Sequence, residues 1–178
     1  MIIKLKNMEQ NSNKMKEIIM DKLVINIGTG NDTPKQLNAK KLLQLITGRN
    51  PTDEISTKRI PSFKIANGTK IGAFVTIRKG QKELAKKLFD AVGDKIKDSS
   101  VSDNTVSFGI KEYIDIDKVK YDPSIGMLGM NVNLSFKRRG MHVRDRKRKS
   151  ADVPAKHRVI PSEEIKEYLR KEFKIEFI

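Results

Sequence analysis

The feature of this sequence that most constrains its fold is the alternation of two hydrophobic periods along 178 residues. Apolar residues at every second position predict strands, and apolar residues three or four positions apart predict helices. Strand-like segments cover residues 22–27, 52–60, 70–78, 106–110 and 131–136, and helix-like segments begin at residues 33, 81 and 161. The resulting order, β-α-β-β-α-β-β-α, predicts an α+β fold with an antiparallel β-sheet and helices packed on one face.

Local signals predict where the helices begin and end. Thr33 is expected to cap the first helix, Pro34 suits its first turn, and Gly48 ends it. The most amphipathic segment is 81–97, where large apolar residues recur every fourth position. With its helices on one side of the sheet, the predicted fold is RRM-like in outline.

The chain length fits a single domain, which we expect to span residues 15–178. Residues 1–14 are polar and rich in asparagine, so we expect a disordered leader there. The sequence contains no cysteine, which excludes disulfides, thiolate nucleophiles and cysteine-based zinc sites. No apolar run approaches the roughly 18 residues that a transmembrane helix needs.

Charge gives the first indication of a binding partner. The chain has 37 Lys and Arg against 22 Asp and Glu, which is a net charge of +15. Such an excess predicts a polyanionic partner, with nucleic acid ahead of an anionic membrane. The membrane alternative is weak, because no long basic helix carries an aromatic and leucine-rich face.

The charge is concentrated in a basic segment, which we define as residues 137–158. It combines ten Lys and Arg with two acids, which is a net +8. Gly140 and Pro154 argue against one long helix, so we expect a basic loop that becomes ordered on RNA. The alternative is a solvated tail or a localisation signal. The basic residues are Lys137, Arg138, Arg139, Arg144, Arg146, Lys147, Arg148, Lys149, Lys156 and Arg158.

Motifs for catalysis are weak, so we predict no enzyme, no cofactor and no metal site. Residues 28–30 read Gly-Thr-Gly after a strand, but Thr33 stands where a dinucleotide loop needs its third glycine. The two histidines, His142 and His157, both lie in the basic segment, where a metal cation would meet a positive field. The alternative function, an RNA-processing or tRNA-modifying enzyme, would need a convergent acid, base or cofactor set that is not visible.

Polar residues on the predicted sheet are more informative. Asn26, Thr76 and Arg78 lie on strand-like segments, and Arg49 lies at a helix end. Short hydrogen-bonding groups on a sheet suit ribose and phosphate oxygens, and arginine adds a bidentate fork. The alternative is that each is an ordinary exposed strand residue.

Six stretches together resemble one known family. They are VINIGTG (24–30), LITGRNP (45–51), STKRIPSFKIANGTKIGAFVTIRKG (56–80), FGIKEYIDI (108–116), YDPSIGMLGMNVNL (121–134) and AKHRVIPSEEIKEYLRKEF (155–173). In this order they resemble the universal large-subunit ribosomal protein five family, called L five in bacteria and L eleven in eukaryotes. YDPSIGMLG and the basic segment resemble the archaeal and eukaryotic branch, with an archaeal source preferred.

The resemblance implies a structural component of the cytoplasmic ribosome. The sheet would bind 5S rRNA and attach it to the large-subunit rRNA in the central protuberance, beside a neighbouring 5S-binding ribosomal protein. It also implies a bridge to a protein of the small-subunit head. The residues carried over are Asn26, Arg49, Thr76 and Arg78, although many relatives have Gln at position 49. Lys58 and Arg59 of the TKR motif and the basic residues from Arg138 to Arg158 are further expected rRNA contacts.

The resemblance also gives the loop 61–69 a separate role. Its SFKIANGT motif matches the family loop that reaches the elbow of the P-site tRNA. The expected tRNA contacts are Ser62, Phe63, Lys64, Asn67 and Gly68.

Overall fold

The structure is a computed structural model that describes residues 13–117 and 119–178. Most of the expected leader, residues 1–12, lies outside the described residues. The described chain contains a six-stranded sheet in the order β2-β3-β1-β7-β6-β5, and its neighbouring strands are all antiparallel. The strands are β1 (Ile18–Gly28), β2 (Thr52–Ile55), β3 (Lys70–Ile77), β5 (Val101–Ser102), β6 (Thr105–Ile110) and β7 (Met130–Arg138).

The remaining elements surround this sheet. Two short strands, β4 (Lys95–Ile96) and β8 (Glu176–Phe177), pair in parallel with each other. The helices are α1 (Thr33–Thr47), α2 (Gln81–Asp90), α3 (His142–Asp145), α4 (Ala155–Arg158) and α5 (Ser162–Phe173). The predicted α+β class with an antiparallel sheet is therefore confirmed. None of the described helices is long and apolar enough to cross a membrane.

Helices and sheet share one hydrophobic core on one side of the sheet. Alternate residues of the central strands point into it, and α1, α2 and α5 cover them. Phe89 of α2 stacks on Phe108 of β6 with ring centroids 5.0 Å apart. The buried residues include Leu23, Ile25, Ile27, Ala73, Val75, Ile77, Val132, Leu134, Leu42, Leu43, Leu88, Ile165 and Leu169.

The predicted cap of α1 is wrong by one residue. Asp32 occupies the capping position, where its carbonyl accepts the Gln36 N–H at 3.0 Å, and Thr33 is already helical. The Asp32 carboxylate instead pairs with Lys35 at 2.7 Å. The predicted end is correct, because Gly48 adopts φ 65° and donates its N–H to Gln44.

The predicted helix over 81–97 is too long. The helix α2 ends at Asp90, and Gly93 and Asp94 then adopt positive φ angles of 72° and 57°. These left-handed residues turn the chain so that β4 can pair with β8, near the end of the chain. The side chain of Ile96 is buried in the core although the residue lies in β4. This burial explains why an apolar residue occurs where the helical spacing predicted one.

The strand predicted over 52–60 is also shorter in the structure. It ends at Ile55, and a loop begins at Ser56. The Ser56 side chain is buried, and its hydroxyl donates to the Lys58 carbonyl at 2.6 Å.

Candidate RNA interface

The sheet surface opposite the helices, which we call the open face, consists mainly of neutral polar residues. Strand register and alternating burial place these side chains on one surface across five neighbouring strands. No helix lies over this face in the part of the chain that the structure describes. The open face contains Thr52, Val24, Asn26, Phe74, Thr76, Thr105, Ser107, Asn131, Asn133 and Ser135, with Lys22 and Arg78 at one end and Glu54, opposite Gly72, at the other.

Two predicted site residues, Asn26 and Thr76, come together on this face. Asn26 lies opposite Phe74 of β3 and Asn131 of β7, while Thr76 lies opposite Val24. The Oδ1 atom of Asn26 is buried and accepts no hydrogen bond from any described residue. Leaving a buried polar atom unpaired costs about 1–3 kcal/mol. Because this oxygen is enclosed, a ligand on the open face meets the partly exposed remainder of the Asn26 side chain.

Sequence reasoning missed three neutral members of this face. They lie on β7 and β6, on the far side of β1 from Thr76. Asn131 lies opposite Asn26, and Asn133 lies opposite Ser107. The signal was present in MNVNLSF, where polar residues occupy every second position of a strand.

The two predicted arginines outside the strand centres, Arg49 and Arg78, lie at the same end of the sheet. Arg78 follows β3 and is exposed. Arg49 donates from Nη2 to the carbonyl of Lys79 at 3.3 Å, which ties the end of α1 to the turn after β3. Lys22 faces the same region because Leu23 lies opposite Ile77.

The loop between β2 and β3 is held in shape by its own backbone. Ser56 donates its N–H to Thr69 and accepts from Gly68, both at 2.9 Å. Farther out, Ile60 and Ile65 exchange two hydrogen bonds of 2.9 and 3.1 Å. The loop therefore projects as a closed structure rather than an open coil.

The predicted contact residues of this loop are all on its surface. A 3-10 turn over Pro61–Phe63 and a positive φ of 55° at Lys64 form the tip. Phe63 is 71% exposed, although large aromatic side chains are usually buried in the core. The exposed members are Lys58, Arg59, Ser62, Phe63, Lys64, Asn67 and Gly68.

Most cations of the basic segment project into solvent. After Lys137 and Arg138, which end β7, the segment consists of the one-turn helices α3 and α4 and the loops beside them. The loop between these helices is closed by a bond from Arg146 Nε to the Lys149 carbonyl at 2.7 Å and by another between Ala151 and Val143 at 3.3 Å. The exposed residues are Arg144, Arg146, Lys147, Arg148, Lys149 and Lys156.

The first cations of this segment are bound to acids of the protein instead. Arg138 donates from Nη2 to both carboxylate oxygens of Glu164, at 3.2 and 3.0 Å, and its side chain is only 14% exposed. Arg139 pairs with Glu17 through two bonds of 3.0 and 3.1 Å. Arg158 is half-buried and its carbonyl accepts from Asn104. The structure thus binds Arg138 and Arg139 to acids of the protein, although the Arg139 side chain is still 50% exposed.

An acid near the edge of the sheet is neutralised within the protein. Asp53 of β2 lies on the helix side, where Gln36 donates to it at 2.9 Å. Hydrogen bonds from Lys40 and then Lys70 hold the pKa of this carboxyl below its usual value. Its charge is therefore matched locally and faces away from the open face.

Metal-binding chemistry is not indicated by the arrangement of side chains. Across residues 13–117 and 119–178, no three His, Asp or Glu side chains gather as a metal site. Both histidines are exposed in the basic segment.

Comparison with known proteins identifies the family. The family model described as ribosomal protein L5 matches residues 13–65, and the family model described as the ribosomal L5P family C-terminus matches residues 70–177. The two matched regions share one sheet, because β1 pairs with both β3 and β7.

Individual relatives match along nearly the whole chain. The large ribosomal subunit protein uL5 of Sulfurisphaera tokodaii is 37% identical over 171 residues, covering 95% of this chain and 97% of the relative. The uL5 protein of Thermoplasma acidophilum is 39% identical over 166 residues, covering 92% and 97%. That of Archaeoglobus fulgidus is 38% identical over 159 residues, covering 88% of each. These archaeal relatives agree with the branch indicated by the motifs. The chain therefore belongs to the ribosomal protein L5 family.

Proposed function

We propose that this protein binds 5S rRNA through the open face and attaches it to the large-subunit rRNA through the basic segment. As a member of its family it is a ribosomal protein of the large subunit and not an enzyme. The RNA-processing or tRNA-modifying alternative is therefore set aside. The protein acts on the ribosome in the cytoplasm.

The observation that carries the proposal is the uncovered sheet with its fixed neutral groups. A folded RNA presents 2′-hydroxyls and base edges in the wide minor groove of its helices. Asn26, Thr76, Asn131 and Asn133 offer hydrogen-bonding groups at strand spacing, and the Asn26 oxygen lacks a partner among the described residues. These groups suit recognition of RNA shape.

Charge provides attraction without sequence information. Lys and Arg that neutralise phosphates release counterions, which makes binding sensitive to salt. Lys22, Arg49 and Arg78 lie at one end of the open face, and β7 leads from the same end into the basic segment. If an RNA helix lies on the open face, the phosphates along its two sides would meet these cations.

The loop between β2 and β3 is proposed to contact P-site tRNA. Its support is a preformed backbone, a small net charge at the tip and the exposed ring of Phe63. The neighbouring 5S-binding protein and the small-subunit head protein remain proposed partners without assigned surfaces.

Binding of the full chain to a 5S rRNA transcript, measured between 50 and 200 mM salt, tests the main proposal. Contacts with roughly 6–10 phosphates should lower affinity by about 10³–10⁵ over this range. A double-stranded RNA of the same length without 5S structure is the control. Equal affinity for both RNAs would contradict shape recognition, and a flat salt response would contradict the electrostatic contribution.

A further inference from the structure

Two glycines on the open face have no explanation within the described fold. Gly28 ends β1 and Gly109 lies in β6, both with extended backbone rather than a positive φ. A Cβ at position 28 would have no described atom within 4 Å, and one at position 109 would meet Asn131 Oδ1 at an ordinary 3.5 Å. Glycine weakens a strand, because it loses more conformational entropy and contributes no packing. A side chain at either position would therefore favour the fold.

Neighbouring glycines are required by packing. A Cβ on Gly72 of β3 would lie 2.5 Å from the carbonyl oxygen of Ile27. A Cβ on Gly129, just before β7, would lie 2.8 Å from the carbonyl oxygen of Lys111. The same region thus contains glycines that the fold needs and glycines that it does not need.

The unexplained glycines border the asparagine pair of the open face. Gly109 lies opposite Asn131, which lies opposite Asn26, and Gly28 follows Asn26 by two residues on the same surface. Between them is a shallow cleft of about 410 Å³, lined in part by Gly28, Gly109, Lys111 and Asn131. Side chains at positions 28 and 109 would project into this space.

The lining of the cleft indicates which part of a nucleotide it accepts. Lys111 is the only charged residue among its described lining residues, and none of them is aromatic. Phosphate favours several cations, and an unstacked base favours an aromatic platform. A ribose needs neither, and its 2′-hydroxyl both donates and accepts hydrogen bonds. The Asn131 side chain, which lines the cleft, offers an amide oxygen that accepts and an amide nitrogen that donates.

We infer that Gly28 and Gly109 lack side chains so that a ribose of bound RNA can lie directly on the strand backbone. Its 2′-hydroxyl bonds to the side chain of Asn131, and Lys111 contacts the adjoining phosphate. This inference rests on the proposed function, since the ligand is the RNA on the open face. It adds a subsite that depends on the absence of side chains rather than on their presence.

The test measures binding and stability together in Gly28→Ala, Gly109→Ala and Gly109→Val. The urea midpoint should stay the same or rise, because the added groups meet open space and favour the strand. Affinity for 5S rRNA should fall, by about tenfold for Gly109→Val if the ribose is displaced. Ser99→Val is the control and should leave affinity unchanged, because Ser99 follows Asp98, which pairs with Lys166 of α5 on the helix side. Gly72→Ala should lower the urea midpoint, because its Cβ meets backbone.

Hydroxyl-radical cleavage of the RNA locates the contact. A ribose protected by the wild-type protein should regain reactivity with Gly109→Val under saturating protein. If all three variants bound 5S rRNA as tightly as the wild-type protein does, this inference alone would be overturned. Unfolding of both alanine variants would also overturn it, since the glycines would then serve the fold. A wild-type protein that does not bind 5S rRNA would overturn the proposed function, and this subsite with it.

Discussion

The two regions proposed to meet RNA, the open face and the basic segment, are built in opposite ways. On the open face, strand register fixes neutral groups such as Asn26, Thr76 and Asn133 at defined spacings. In the basic segment, cations project into solvent from two one-turn helices and a loop. Hydrogen bonds need fixed geometry, whereas attraction to phosphate needs only nearby charge. The difference assigns recognition of shape to the sheet and salt-sensitive attraction to the segment.

The open face itself changes character from one end to the other. Lys22 lies in the first half of β1 and Arg78 directly follows β3, and Gly28 lies six residues farther along β1 than Lys22. At about 3.3 Å per residue, these ends are about 20 Å apart. The loop between β2 and β3 belongs to the glycine end, because Gly72 lies opposite Gly28. The cations proposed to attract rRNA and the loop proposed to contact tRNA thus lie toward opposite ends of the strands.

Neutralising the centre of the basic segment should give the largest effect. Changing Arg146, Lys147, Arg148 and Lys149 to Gln removes four charges. The slope of log affinity against log salt should fall by up to about 3–4 units, provided that all four neutralise phosphates. Titration of 5S rRNA and of large-subunit rRNA fragments at several salt concentrations measures this slope, and the free protein should remain folded.

The matched control removes the same charge from the helix side. Lys41, Lys86, Lys97 and Lys174 are exposed on α1 and α2 and beside β4 and α5. Their replacement by Gln should change the slope by less than one unit, because these side chains face away from the proposed RNA. An equal loss in both variants would show that net charge alone governs binding, and would remove the distinction between the regions.

Removing the Asn26 amide should produce the next largest effect. Asn26→Ala should weaken 5S rRNA binding by about 1–3 kcal/mol, because a polar group of the RNA then loses its partner. The free energy of unfolding should change little, since the Asn26 oxygen makes no hydrogen bond with the described residues. Thr76→Ala should act in the same direction.

Asn31→Ala, in the exposed turn after β1, is the control for loss of an asparagine. Its affinity should equal that of the wild type. The slope of affinity against salt should also be unchanged in Asn26→Ala, because no charge is lost. If Asn26→Ala unfolded while its folded fraction bound normally, Asn26 would be a packing residue and the open face would lose its central contact.

The sequence was sufficient to predict the elements whose signals are local. The alternation in 70–78 and 131–136 predicted β3 and β7, and Gly48 correctly predicted the end of α1. The extent of α2 could not be predicted in this way. The chain leaves that helix in order to pair β4 with β8, and Lys95 and its partner Glu176 are far apart in the sequence.

The candidate site was predictable only in part for a similar reason. Asn26 and Thr76 were placed correctly on one face because strand alternation is local. Arg138 and Arg144 look alike in the sequence, since both belong to the same run of cations. Only the fold shows that Glu164, at the start of α5, accepts two bonds from Arg138 while Arg144 remains exposed.

Phe63→Ala should have a smaller effect that distinguishes the loop proposed to contact tRNA from the two regions proposed to bind rRNA. Because Phe63 is 71% exposed, stability should be unchanged, and 5S rRNA affinity should stay within about threefold. Reconstituted ribosomes should hold P-site tRNA more weakly, as measured by tRNA dissociation. Shortening the loop around Asn67-Gly68 should have the same signature. A loss of 5S affinity with normal tRNA binding would reverse the roles assigned to the loop and the basic segment.

The smallest effect on RNA binding is expected at Asp53, whose charge faces the helix side. Hydrogen bonds from Lys40 and Lys70 lower the folded-state pKa of Asp53, so the unfolded chain takes up its proton first as pH falls. Its contribution to stability is therefore present above the ordinary aspartate pKa of about 3.9 and is lost as pH falls through the folded-state pKa. Asp53→Asn should unfold at lower urea than the wild type at pH 7, and the difference should shrink in acid. Affinity for 5S rRNA should stay within about threefold, since the change lies behind the open face. A stability difference that persisted undiminished in acid would show that packing, rather than the ion pairs, accounts for it.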